Sequence, residues 1–253
     1  MKTAGDDLQG YNGMVLAPWP NRIPEGKYSL EGKEYQLEVN EPDRNNALHG
    51  FAFKTEFEVT EHNENKIQLA ALLTNPDGYP FEVFLQLEYQ LDTKGLRCKV
   101  TATNRSAIDA PFGIAFHPYY PVDDQTRISI PAKTHILTDE QMIPIGSEPN
   151  RDQSFLFGEV DFDDCFSELE RNNGLAEIKI ESGEQVITHW QDEAFDFVMV
   201  YTTKDFDAAH GARQAIAIEA QSCVANAFNT EPPMLSPGER FSGSWALAVF
   251  GRS

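Results

Sequence analysis

Residues 112–120, F-G-I-A-F-H-P-Y-Y, decide how this chain is read. Side chains alternate across a strand, so Phe112, Ile114 and Phe116 are expected on one face and Gly113, Ala115 and His117 on the other. The first face is bulky and apolar; the second is nearly empty except for an imidazole. Residues 215–220 repeat the arrangement, with Ile216 and Ile218 on one side and Ala215, Ala217 and Glu219 on the other. Two strands therefore each set one ionisable group among minimal side chains, which leaves room for a ligand beside a His and a Glu suited to moving protons. A histidine ending a strand before Pro118 also suits a purely structural residue. Glu219 resists that reading, because a carboxylate between Ile218 and Ala220 needs solvent, a cation or a functional cavity.

Outward from this stretch the hydrophobic period is two. Phe81, Val83, Leu85, Leu87, Tyr89 and Leu91 alternate with polar residues and with Phe84, and after D-T-K-G so do Leu96, Cys98, Val100 and Ala102. Residues 28–30 and 34–37 flank a turn and predict a hairpin. Such consecutive hairpins imply an antiparallel sheet with one face in the core. Residues 195–201, F-D-F-V-M-V-Y, read as buried on both faces, and the final strand alternates through Trp245, Leu247 and Val249. No helical period runs beyond about ten residues, so helix content is expected to be very low.

Between these strands lie three segments that carry candidate polar groups. P-W-P-N-R-I-P at residues 18–24 cannot be helical and places Arg22 in a rigid loop. N-E-P-D-R-N-N-A-L-H-G-F at residues 40–51 is a turn-forming run that presents His49, with Arg44 upstream. D-F-D-D-C-F at residues 161–166 reads as a solvated acidic turn, with one acid as a candidate ligand.

The 253 residues contain no Pro/Ser/Gly-rich linker and are expected to form one domain, 1–253. Forty acidic against twenty basic residues give a net charge of −20, which repels nucleic acid and anionic membranes. Three cysteines without C-x-x-C spacing suggest neither a disulfide framework nor a zinc site. The N-terminal residues lack an apolar core and no run suits a membrane span, so the expected location is cytoplasmic.

Taken together, P-W-P-N-R-I-P-E-G-K-Y at 18–28, N-N-A-L-H-G-F at 45–51, F-G-I-A-F-H-P-Y at 112–119, D-x-x-F at 163–166 and A-I-E-A-Q at 217–221 resemble the aldose 1-epimerases, the galactose mutarotase family. The order and spacing match over essentially the whole chain. The resemblance implies an all-β, large antiparallel β-sandwich of the galactose mutarotase type, whose concave face binds a free sugar. It implies Glu219 as general base and His117 as general acid, His49 as a sugar-binding histidine, and Arg22 and Asp163 as hydroxyl-binding groups. Family members start further upstream with additional N-terminal strands, so this chain is expected to lack those strands or to build the sheet edge differently. The H-G-F step has no second glycine after L-H-G, which points to a divergent branch of the family, its sugar not fixed by the sequence.

The expected reaction is interconversion of the α and β anomers of a free aldose. The anomeric hydroxyl loses a proton while the ring oxygen gains one, and the opened aldehyde recloses from either face. A carboxylate and an imidazolium perform both transfers, and no cofactor or metal is required. Other readings stay open on the residues alone. Asp163 and Glu219 suit a glycosidase pair, and His49, His117 and Glu219 suit a metal site. A non-catalytic carbohydrate-binding module would keep Arg22 and Asp163 without needing acid or base. Arg44 is the residue that would favour a hexose 6-phosphate over a free monosaccharide.

Overall fold

The computed structural model describes residues 9–75, 77–206 and 214–251. Among these residues there is no α-helix; short 3-10 turns such as Ala52–Lys54 and Ala227–Asn229 punctuate the strands. Period-two sequence builds two large sheets, and every strand pairing in them is antiparallel. One sheet runs Val15–Leu16, Ala115–Phe116, Ala215–Gln221, Phe197–Thr203, Asp163–Leu169, Ala132–Thr138 and Pro144–Pro149 in spatial order, with Tyr119–Pro121 also paired to Ala215–Gln221. The other is centred on Gln185–Gln191, Arg240–Gly251, Gly95–Asn104 and Tyr79–Asp92 and ends at the edge strand Glu58–His62. That edge is exposed along its whole length and carries two glutamates and a histidine, which discourages further strand pairing.

The faces divide as alternation requires. Ile216, Ile218, Val198, Val200 and Phe166 of the first sheet pack with Ile178 and Ile180 of the second in one buried cluster. Phe112, Ile114 and Phe116 join a second cluster with Phe81, Leu85, Val100 and Trp245. The first sheet's opposite face is left to Ala217, Glu219 and Gln221, with Met199 opposite Glu219 and Asp163 opposite Tyr201.

Four local expectations are corrected. Residues 112–120 form not one strand but short pieces, Ala115–Phe116 and Tyr119–Pro121, although the sidedness of Phe112, Ile114, Phe116 and His117 is as expected. At Gly113 the side chains of Cys223 and Pro20 close in from neighbouring segments: a Cβ there would lie 2.5 Å from Cys223 Sγ and 2.9 Å from Pro20 Cδ. Arg22 lies in a strand, Arg22–Pro24, paired with Asn46–Leu48, rather than in a loop. Asp163 opens the interior strand Asp163–Leu169, because cross-strand pairing on both sides outweighs the turn preference of its acids. Phe197–Thr203 is buried in the core on one face only; its other face, with Met199 and Tyr201, borders a cavity.

Candidate functional site

All five residues expected to form a site line one cavity of about 280 Å3: Arg22, His49, His117, Asp163 and Glu219. Glu219 and Asp163 rise from the same face of the first sheet, on the two strands that flank Phe197–Thr203, and His117 follows Ala115–Phe116 at its rim. Arg22 and His49 arrive together, because the pairing of Arg22 with Leu48 fixes their separation across the small two-stranded sheet. His49 and Gly50 both have left-handed backbone, φ 66° and 64°. Gly50 meets that demand without a side chain, and a Cβ there would lie 2.1 Å from Ala17 O.

At the floor, His117 Nε2 lies 3.1 Å from Glu219 Oε1, with the two residues 5% and 2% exposed. Burial penalises charge on both. It pushes Glu219 up to about 8, with Asp163 adding to the rise and the Gln221 hydrogen bond and Arg22 opposing it. It pulls His117 down to about 4. The pair therefore holds a single proton between these values, and burial places that proton on the carboxyl. Its two tautomers, carboxylic acid with neutral imidazole and carboxylate with imidazolium, differ by one transfer along an existing hydrogen bond.

His49 is neutral as well, lowered first by burial and then by His117 and Arg22. Its Nδ1 accepts from Asn21 N–H at 3.1 Å, so Nε2 carries the proton. Arg22 is gripped by Glu41 through Nε to Oε2 at 3.0 Å and Nη2 to Oε1 at 3.0 Å, and Nη2 also reaches Asp163 Oδ2 at 3.4 Å. Burial acts to lower Arg22, but Glu41 and Asp163 outweigh it and hold the guanidinium above its usual value. Asp163 is raised by burial against the pull of Arg22 and Arg44.

Several lining residues were not anticipated. Tyr119 lies two residues beyond His117 and shares its side of the chain, so the alternation that singled out His117 also points to it. Tyr11, Tyr201 and Met199 complete an amphipathic wall, and the Tyr11 ring meets His49 edge-on at 4.6 Å. Glu41 is the largest omission. Its carboxylate also accepts from Arg44 Nη1 at 3.2 Å and Asn46 Nδ2 at 2.8 Å, and no local pattern marks it. Arg44 lines the mouth, its side chain 43% exposed.

Two clefts are larger, about 770 Å3 beside His135 and Phe155 and about 590 Å3 between Trp190 and Phe250. Neither is lined by a buried ionisable side chain, whereas the smaller cavity gathers four, Arg22, His49, His117 and Glu219, with Asp163 half-buried beside them. Among the described residues no group of three His, Cys, Asp or Glu side chains has the arrangement of a metal site. No helix among them is long and apolar enough to cross a membrane.

A family model described as aldose 1-epimerase matches residues 3–248. The chain is 30% identical over 229 residues to YihR of Escherichia coli K12, a protein described as uncharacterized, covering 86% of this chain and 72% of that one. It is 30% identical over 150 residues to human galactose mutarotase, covering 54% of this chain and 42% of the human protein, so this match spans less than half of that relative. Among solved structures, the GalM/aldose epimerase homologue of C. elegans superposes with a TM-score of 0.86 at 17% identity, covering 100% of this chain and 86% of that one. A galactose mutarotase-like protein from Clostridium acetobutylicum gives 0.81 at 22% identity, covering 94% and 78%. At these identities the superpositions speak to the fold.

Proposed function

The chain belongs to the aldose 1-epimerase family, and on that footing we propose that it is a mutarotase interconverting the α and β anomers of a free monosaccharide. One observation carries the reading: the buried pair of His117 Nε2 and Glu219 Oε1, 3.1 Å apart at the floor of a polar cavity. Ring opening needs a base at the anomeric hydroxyl and an acid at the ring oxygen, two oxygens borne by one carbon. A pair this close reaches both at once.

Glu219 in its carboxylate form takes the O1 proton, His117 in its imidazolium form gives its Nε2 proton to O5, and the C1–O5 bond breaks. The pair is left as carboxylic acid and neutral imidazole, which is also the tautomer that burial favours. Rotation about C1–C2 and the reverse transfers close the ring to the other anomer, so each turnover returns both protons. Entry of a ring sugar first moves the shared proton from Glu219 to His117 along the hydrogen bond between them.

The remaining residues are assigned to holding the sugar. His49 donates through Nε2, Asp163 accepts hydroxyl protons, and Arg22 is held by Glu41 as a fixed donor. A cavity of about 280 Å3 lies at the small end of ligand sites, which run from about 300 Å3 upward, and suits a monosaccharide. Polarimetry of freshly dissolved single anomers across a panel of aldoses tests the proposal. Accelerated approach to equilibrium rotation for at least one sugar is expected, and no acceleration for any of them would overturn it.

A further inference from the structure

Gln221 is fully buried and lies two residues beyond Glu219 on the same face of Ala215–Gln221. Its Nε2 donates to Glu219 Oε2 at 3.1 Å. Its own Oε1 is buried and, among the described residues, meets no donor. Leaving a buried carbonyl unpaired has a cost, so the amide is better explained by what its N–H does than by a need to fill space. The two oxygens of Glu219 are thereby made unequal: Oε1 faces His117 Nε2 and Oε2 faces the Gln221 amide.

We propose that Gln221 is a positioning residue that directs the travelling proton to Glu219 Oε1 by occupying Oε2 with a hydrogen-bond donor. An oxygen accepting a fixed N–H is a poor site for a proton, and a carboxyl protonated on Oε1 can still accept that N–H on Oε2. The same bond therefore survives both protonation states and holds the carboxyl plane while the proton moves. Without it the proton could settle on Oε2, away from His117, and the carboxyl could turn. This inference rests on the mutarotase reading for its consequence in turnover, though not for the bond itself.

Other charged and titratable groups also face Glu219. His117 and Tyr119 approach from the first sheet's rim, Asp163 and Cys165 from Asp163–Leu169, Tyr201 from Phe197–Thr203, and Arg22 and His49 from the small sheet. Of the groups acting on Glu219, the Gln221 amide and Arg22 favour the ionised form. Removing the amide therefore raises the proton affinity of Glu219.

The test is Gln221→Met, which keeps the length of the side chain without a donor. Loss of one such bond is expected to raise the 13C titration midpoint of the Glu219 carboxyl by about one pH unit, to carry the alkaline limb of kcat/KM with it, and to lower kcat about tenfold while KM stays within about twofold. In the unsubstituted protein, the 15N side-chain amide signal of Gln221 is expected to shift with the midpoint of Glu219, a measurement that does not depend on the variant folding. An unmoved midpoint in Gln221→Met, or an amide signal in the unsubstituted protein blind to the Glu219 titration, would overturn the proposal. If no aldose is turned over, the mutarotase reading fails, and the two titrations still decide the role of Gln221.

Discussion

Asn21 and His49 are tied by reciprocal hydrogen bonds: Asn21 N–H donates to His49 Nδ1 at 3.1 Å and His49 N–H donates to Asn21 O at 2.8 Å. Both residues sit in left-handed backbone, φ 57° and 66°, so main-chain geometry rather than a second side chain fixes this imidazole. The bond to Nδ1 leaves the ring proton on Nε2, where it can serve a sugar oxygen but not accept a proton from one.

His49→Asn should therefore raise KM about tenfold, the worth of one good hydrogen bond, and change kcat much less. A kcat collapse comparable to that of a lost proton donor would instead make His49 a reacting group. Steady-state kinetics on the best aldose separates the two.

Glu41 is expected to matter through Arg22. Removing one partner of a buried ion pair typically costs about 3–5 kcal/mol, and Glu41→Ala should fall near the low end of that range because Asp163 still faces the guanidinium. Urea unfolding measures the loss, and kinetics should show KM rising more than kcat falls. Unchanged stability and KM would mean that Asp163 and Asn21 suffice to hold Arg22.

Activity should follow the single proton held by His117 and Glu219. Below about pH 4 the pair gains a second proton and Glu219 cannot act as base; above about pH 8 it loses its only proton and His117 cannot act as acid. A bell with limbs near these values is expected for kcat/KM. An alkaline limb absent up to pH 9.5 would contradict the assignment of Glu219. Stability adds a separate acid dependence. Burial lowers His189 to about 3, so unfolded chains bind a proton there that folded ones do not, and stability is lost as pH falls from about 6.5 toward 3. His189→Gln, which can still partner the Tyr120 hydroxyl, should flatten that acid slope in urea titrations.

Much of this was legible where the cause is local. Ile216, Ile218 and Glu219 obey a period of two, and that period places Glu219 opposite the core without knowledge of its neighbours. Asp163 was less legible, since three acids in four residues look like a solvated turn. The fold instead sends Asp163 to the cavity and Asp164 to His135 on the other side, 2.6 Å from Nε2. Glu41 was not legible at all. It meets Arg22 only because Arg22–Pro24 pairs with Asn46–Leu48, and a strand register is a tertiary fact absent from any short window.

The donors left at the mouth bear on the substrate's charge. Arg22 is already engaged by Glu41, Asp163 and Asn21, and Arg44 shares Glu41, so among the described residues no second cation is free to converge with Arg44 on a dianion. Glucose or galactose should be turned over better than the corresponding 6-phosphate at both low and moderate ionic strength. A phosphorylated sugar preferred at least tenfold, with Arg44→Ala abolishing the preference, would reverse this conclusion.

The pair of His117 and Glu219 at the floor of the cavity carries the proposed proton transfers. Polarimetry of a freshly dissolved aldose anomer with Glu219→Gln and with His117→Asn, each checked for native near-ultraviolet circular dichroism, reads its contribution. Loss of one proton-transfer partner predicts a fall of about 10²- to 10⁴-fold in the catalysed rate for either variant. A folded variant of either kind that mutarotates the sugar at the rate of the unsubstituted protein would contradict it.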